Sequence, residues 1–246
     1  LKFNINSIFF INSASFLLLF LSILISYIPE QEHKENGNDD IKEIFVGFKE
    51  NFTNIKLRIS LLFTIVVNIA MLGFNATIIF YLQDQLKLSN SLVGIVYSIA
   101  GFGSLIAVTF LSTFLNKKDA FILMNISMAT IPLVIMASGI VENWIFFGIC
   151  YSILSGLITI ASVSITTIQQ QESTEYNIGK ILSSSFVIAT IFAPFGGILA
   201  AYFNWLLNPR LSLVILGLLS SLLVILIKSY EKKLTKKRTA IIIKED

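Results

Sequence analysis

Charged residues and histidine are absent from seven long stretches of the chain: residues 7–28, 59–83, 92–116, 120–141, 143–168, 181–204 and 211–227. Six of them hold 22 to 26 residues and the last holds 17. At 1.5 Å per residue, 22 to 26 residues make a helix of roughly 33–39 Å, enough for a hydrocarbon layer of about 30 Å. The 17-residue stretch is at the short end of that range, and Lys228 can extend it by snorkelling. In 7–28, 14 of 22 residues are Leu, Ile or Phe. Each contributes roughly −0.3 to −0.6 kcal/mol to insertion, against about +3 for one central charge. The stretches are too many and too long for buried helices of a soluble core. They predict an all-α membrane protein with seven transmembrane helices. A signal peptide does not fit 7–28, because its apolar part is too long and no small-x-small cleavage site precedes Pro29.

The polar segments divide the chain. Residues 29–58 form the longest connection, 59–227 hold six of the spans, and 228–246 are a basic tail. In the connection, Gly37-Asn38-Asp39-Asp40 is a turn and helix-start signal. Ile41, Ile44, Phe45, Phe48, Phe52 and Ile55 then recur at helical spacing, with Lys42, Glu43, Lys49 and Glu50 between them. That pattern predicts a helix lying on the membrane surface. The tail, with seven basic and three acidic residues from Lys228 on, reads as a flexible anchor to anionic lipid.

Net charge is only +3, with 13% charged residues and a mean hydropathy of +0.80. Soluble domains carry about 25% charged residues, so disordered chains, nucleic-acid modules and soluble enzymes are excluded as classes. The placement of the charges says more than their sum. Seven spans put the termini on opposite sides. Lys2, Lys87 and Arg210 fall on the side of Leu1, and the other 15 of the 18 basic residues fall on the opposite side. The positive-inside rule makes that second side cytoplasmic. Trp144 and Trp205 both fall at the outer helix ends, where interfacial aromatics belong. An outside first residue with no signal peptide, and no initial Met, reads as a fragment that has lost an odd number of upstream spans.

Two spans carry polar residues along one face. In 59–83 these are Ser60, Thr64, Asn68 and Asn75; in 143–168 they are Ser152, Ser155, Thr159, Ser162 and Thr166. One reading is a water-filled cavity that handles a solute. The other is helix packing, where small and hydroxyl residues allow close approach and bond back to their own backbone. The amides of Asn68 and Asn75 favour the cavity, because they cost more to bury. Asn12, Ser15, Ser22 and Ser26 make a weaker stripe that reads as packing. Pro194-Phe195-Gly196-Gly197 interrupts 181–204 near its middle and predicts a bend at a helix–helix contact. Gly94, Ser98 and Gly101 suggest a close-packed face, and Asn125 with Pro132 a kink. The single cysteine, Cys150, rules out a disulfide within the chain.

No ionisable residue lies deep in a span, so a proton relay has no carboxylate here. No phosphate-binding loop, metal-spaced His/Cys set or nucleophile–base pair occurs. The sequence therefore predicts no enzyme, metal or cofactor.

Several stretches point to one family. Phe10-Ile11-Asn12-Ser13-Ala14-Ser15-Phe16 resembles the start of the sixth helix in the macrolide-efflux-type branch of the major facilitator superfamily. Tyr81 to Ser89, followed by Gly94 and Gly101-Phe102-Gly103-Ser104, is similar to its seventh-to-eighth helix hairpin. Gln169-Gln170-Gln171-Glu172, Glu175 and Gly179-Lys180, with the later Pro194-Phe195-Gly196-Gly197, resembles its tenth-to-eleventh loop and eleventh helix. The resemblance covers nearly the whole chain as helices six to twelve: the last helix of the N-terminal half, then the C-terminal six-helix bundle. It implies a proton-driven antiporter of the plasma membrane that exports amphiphilic small molecules such as macrolides. Its two halves rock about a midplane site, and helices seven and ten, the two spans with polar stripes, line the cavity. The missing N-terminal half is then an implied partner, and Lys117, Lys118, Glu172, Glu175 and Lys180 are implied contacts of the cytoplasmic loops. The chain departs from the branch between helices eight and nine, where Ser112 to Asp119 keep a basic pair but lack the acidic–arginine motif. Two alternatives stand beside this reading. One is an inactive remnant of a truncated transporter gene. The other is a seven-helix receptor, disfavoured in its retinal form because 211–227 contains no lysine.

Overall fold

A computed structural model of the chain describes residues 5–26, 40–114 and 120–245. Lys117 and Lys118 lie outside the described residues, as do the turn signal at 37–39 and the final residue. The chain separates into two compact units, Leu1–Asp40 and Ile41–Asp246.

The first unit contributes α1, Ile5–Ile25, whose described side chains from Phe9 onward are all exposed. Ser15, Ser22 and Ser26 donate to the carbonyl oxygens of Asn12, Leu19 and Ser22 at 2.7, 2.8 and 2.7 Å. The hydroxyls of this stripe are thus satisfied within their own helix, as expected where no water is available.

The second unit opens with α2, Asp40–Thr53. Then come α3 (Ile55–Phe80), continued by a π-helical turn over Tyr81–Gln85, α4 (Asn90–Phe114), α5 (Ala120–Ile140), α6 (Trp144–Glu172), α7 (Ile178–Leu206) and α8 (Pro209–Glu245). Six helices, α3 to α8, are long and apolar enough to cross a membrane, and Phe9–Ile25 of α1 is a shorter apolar helix. Polar side chains start the helices. Asn54, the single residue between α2 and α3, accepts from the Lys56 amide at 2.9 Å; Asn143 accepts from Ile145 at 2.8 Å and Asn208 from Leu211 at 2.8 Å. The tight corner before α4 holds Lys87 in the left-handed region at φ 53°.

One sequence expectation is corrected. The tail, read from the sequence as a flexible anchor, is helical: α8 continues unbroken through the basic residues to Glu245. Lys, Glu and Arg favour helix, and Lys228 anchors the exit. Its ammonium donates to Asn125 on α5 and to Glu231 at 3.0 Å, and stands 5.8 and 5.9 Å from the rings of Phe63 and Phe121. Asn125 is therefore a partner of Lys228. Pro194, expected at a bend beside a helix–helix contact, lies inside α7 two residues before the Gly196 contact with α3. α7 is helical on both sides of it, as α5 is around Pro132, because neighbouring helices can satisfy the backbone groups a proline frees.

The six spans pack as two related triplets. The most extensive contacts are α3 with α7 and α4 with α6, followed by α5 with α6 and α5 with α8, then α3 with α8. Exchanging α3, α4 and α5 for α6, α7 and α8 carries each contact into another member of the set. The two main crossings are built on the same kind of joint. A Cβ on Gly196 of α7 would run into the Ile69 carbonyl of α3, and one on Gly73, four residues after Ile69, would meet the Gly196 oxygen at 3.0 Å. A Cβ on Gly103 of α4 would run into the Ser152 carbonyl of α6, and one on Gly156, four residues after Ser152, would meet the Gly103 oxygen at 3.0 Å. At both sites glycine lets two backbones touch, the usual way helices adhere in lipid. Between the crossings, Phe74 stacks on Phe147 with centroids 6.4 Å apart, and Tyr81 on Phe147 at 5.0 Å. Phe63, Phe74, Phe147, Met124 and Met128 are buried in the core around them.

Candidate functional site

α3 is covered on three sides. Gly73 and Ile69 meet α7 and Leu216 of α8, while Phe74 packs on Phe147 and Tyr151 of α6. Between the α6 and α7 contacts runs an uncovered sector with Asn68 half-buried and Leu72, Asn75 and Ile79 exposed. The polar stripe does not all lie in it. Ser60 is fully buried and donates to the Leu57 carbonyl at 2.7 Å. Thr64 donates to Ser60 O at 2.8 Å and the Asn68 amide to Thr64 O at 2.9 Å, both half-buried. Asn75 makes no hydrogen bond among the described residues. The stripe thus passes from a self-satisfied end near Ser60 to an open amide at Asn75.

The α6 stripe divides in the same way. Ser152 sits at the Gly103 joint. Ser155 shares a hydrogen bond of 2.6 Å with Ser104 of α4, and Thr159 donates to Ser155 O at 2.9 Å. Beyond the joint, Ser162 and Thr166 are exposed, with no partner among the described residues. At the other end of α6, Tyr151 is 7% exposed and meets Tyr97 of α4 edge-on at 5.7 Å and Phe74 at 5.2 Å. On the opposite side of the α4–α6 crossing, a groove of about 410 Å³ is lined by Gly103, Phe110, Ser152, Ile153, Gly156 and Leu157 among others, and is almost wholly apolar.

The other sequence candidates scatter. Gly196 is a packed joint, and a Cβ on Gly197 would make only an ordinary 3.8 Å contact with Leu72. Pro194 is exposed. Gly94 and Gly101 face open space on α4, with nothing within 4 Å of an added Cβ; they are not packed within this chain. Glu172 receives the Lys56 ammonium at 2.6 Å and the Asn54 amide at 3.1 Å, Lys180 lies over the Tyr176 ring at 4.1 Å, and Glu175 is exposed.

Sequence reasoning missed a cluster next to these loop residues. Asn51 of α2 is fully buried. Its amide donates to Ile181 O at 3.0 Å and Ser184 Oγ at 2.8 Å, its oxygen accepts from Ser185 Oγ at 3.0 Å, and Gln169 donates to Ser185 at 3.0 Å. Asn177 donates to Glu50 at 2.7 Å, and Gly47 lies directly against the Lys180 carbonyl. A glycine and an asparagine spaced four apart on an amphipathic helix, and three serines opening an apolar span, were the available signals.

Six apolar spans in two packed triplets, with polar side chains left open on α3 and α6, define a polytopic membrane protein. The family model described as Major Facilitator Superfamily matches residues 1–185, and the chain belongs to that superfamily. It is a multi-pass membrane transporter, a non-enzymatic class, and its partner surface is the lipid bilayer. No curated protein and no solved structure matches it.

Proposed function

We propose that the chain is the C-terminal, substrate-facing body of a proton-driven exporter of small amphiphilic molecules. The observation that carries this reading is the open polar sector, Asn68 and Asn75 on α3 with Ser162 and Thr166 on α6. These residues lie on the two helices that correspond under the exchange of triplets. The Asn68 amide bonds Thr64 O, but the Asn75 amide and the Ser162 and Thr166 hydroxyls have no partner among the described residues, and such groups are costly in apolar surroundings unless they meet water, a polar solute or another polar surface. Their sparse placement among Leu72, Ile79 and Phe80 suits a cargo with an apolar body and a few polar groups, as macrolides and related drugs have. Alternating access needs a second helix body across the site, so the N-terminal half of such a transporter is the proposed partner. The charge asymmetry supports a cytoplasmic location for α2, the α6–α7 connection and the end of α8, in a plasma membrane. Proton coupling rests on the resemblance. Asp84, Glu142, Glu172 and Glu175 stand at helix ends or in loops, which favours a coupling carboxylate in the partner half.

The test is cysteine scanning of positions 68, 75, 162 and 166 in a Cys150→Ser background, in membranes containing an intact transporter that carries this chain. Labelling by a hydrophilic, membrane-impermeant thiol reagent, slowed by an exported amphiphile, supports the cavity. Positions that react only with lipid-soluble reagents would make the sector a lipid face.

A further inference from the structure

The helix α2 carries three different edges, and the bundle uses one of them. Gly47 and Asn51 form the first. It abuts the opening turns of α7, where the Lys180 carbonyl leaves no space for a side chain on Gly47 and where Asn51 uses both ends of its amide. Glu50 extends this edge to Asn177, and Asn54 and Lys56, just past the helix, reach Glu172 at the end of α6. Phe45, Phe48 and Phe52 form the second edge. Phe45 is 62% and Phe52 53% exposed, and the rings of Phe45 and Phe48 are 6.2 Å apart. Lys49 and Thr53 form the third edge and are exposed.

We propose that α2 is a fixed bracket of the six-helix body, fastened to α7 by Asn51 and seated through its phenylalanine edge in the lipid headgroup layer. The occupant of that edge follows from chain connectivity. Only Asn54 separates α2 from α3, and α3 is a membrane-crossing helix from Ile55 onward. The phenylalanine edge is therefore held at the level where the hydrocarbon begins, and lipid is the apolar phase available there. A helix held by lipid alone would need no buried polar fastening. Asn51, however, is fully buried with three partners on α7, and a buried amide that loses its partners bears the full desolvation cost. The bracket spans from the start of α3 to the start of α7, so it ties together a helix pair already joined at Gly196. The corresponding pair, α4 and α6, has no such tie among the described residues.

Hydrogen exchange on the purified full chain, in lipid nanodiscs and in detergent, tests the fastening. We expect amides 45–53 to be protected in both media, and Asn51→Leu to speed their exchange at least tenfold in detergent while the spans stay protected. Equal exchange in variant and parent, or loss of protection in the parent when lipid is removed, overturns it. Should Asn51→Leu fail to accumulate, Ser184→Ala, which removes one of the three partners, is expected to give a smaller acceleration of the same amides; no acceleration refutes the fastening. A nitroxide at position 52, in a Cys150→Ser background in nanodiscs of mixed neutral and anionic phospholipid, tests the seat. It should collide with oxygen more than with a water-soluble nickel chelate. The reverse preference, or loss of both collisions with rising protein concentration, would put water or a second copy on the edge and overturn the lipid assignment.

Discussion

Alanine at Gly196 tests whether the two glycine joints hold the bundle together. The methyl group would be driven into the Ile69 carbonyl, whose carbon and Cα lie 2.7 and 3.0 Å from its ideal position. The obstacle is backbone on both sides, so no rotamer change relieves it. α3 and α7 must part by on the order of 1 Å, which forfeits a quarter to a half of the dispersion energy of the contacts around the joint. Overpacking of this kind costs about 1–3 kcal/mol. The better helix propensity of alanine offsets about 1 kcal/mol, so the net loss centres on about 1 kcal/mol. Gly197→Ala is the control. It has the same neighbours in sequence and the same propensity gain, but its methyl would meet only Leu72 side-chain atoms at 3.8 Å, so it should be neutral or slightly stabilising. The assay is SDS-induced unfolding of the purified chain in mixed micelles, followed by circular dichroism and fluorescence. Gly196→Ala should lower the midpoint and Gly197→Ala should not. Identical midpoints for the two variants would refute the argument, because both carry the same chemical change.

The same reasoning extends to the other joint: Gly103→Ala should destabilise by a similar amount, whereas Gly101→Ala, with nothing within 4 Å, should not, by the same titration. In an intact transporter carrying this chain, Asn75→Leu should reduce efflux of a fluorescent amphiphile several-fold at unchanged membrane abundance, while Ser60→Ala, buried and bonded to its own helix, should leave efflux unchanged. Unchanged efflux in Asn75→Leu would make the open amide a packing feature. Glu142→Gln removes the charge that Arg210 meets at 2.5 Å, but Glu142 is largely exposed and Arg210 partly so, so the loss, followed by thermal unfolding, should be no more than about 1 kcal/mol. Cysteines at positions 142 and 236 should label from opposite faces of intact cells, 142 from outside; the reverse pattern would overturn the orientation drawn from the lysines.

The spans were legible because charge is excluded from hydrocarbon so strongly that its absence marks them. Residues 120–141 became Ala120–Ile140, and 92–116 became Asn90–Phe114. The ends were less legible. α6 runs on through Gln169-Gln170-Gln171 to Glu172, because a helix leaving the membrane continues while its side chains can reach water or, like Gln169, a neighbour. The polar stripes were visible, but their use was not. Periodicity shows that Ser155 and Ser162 share a face, yet only the path of α4 decides that one meets Ser104 and the other is open. The α2 helix was readable from its apolar spacing. Its fastening was not, because the partners of Asn51 lie 130 or more residues away. Lys228 was expected to snorkel, and the structure adds its Asn125 partner.

The Gly196 and Gly103 joints also restrict how the bundle can move. Two rods pressed backbone to backbone at one point can neither slide apart there nor admit a wedge. What remains is scissoring, in which the blades spread on one side of the pivot as they close on the other. A swing of either pair about its joint at one membrane face would accompany an opposite swing at the other.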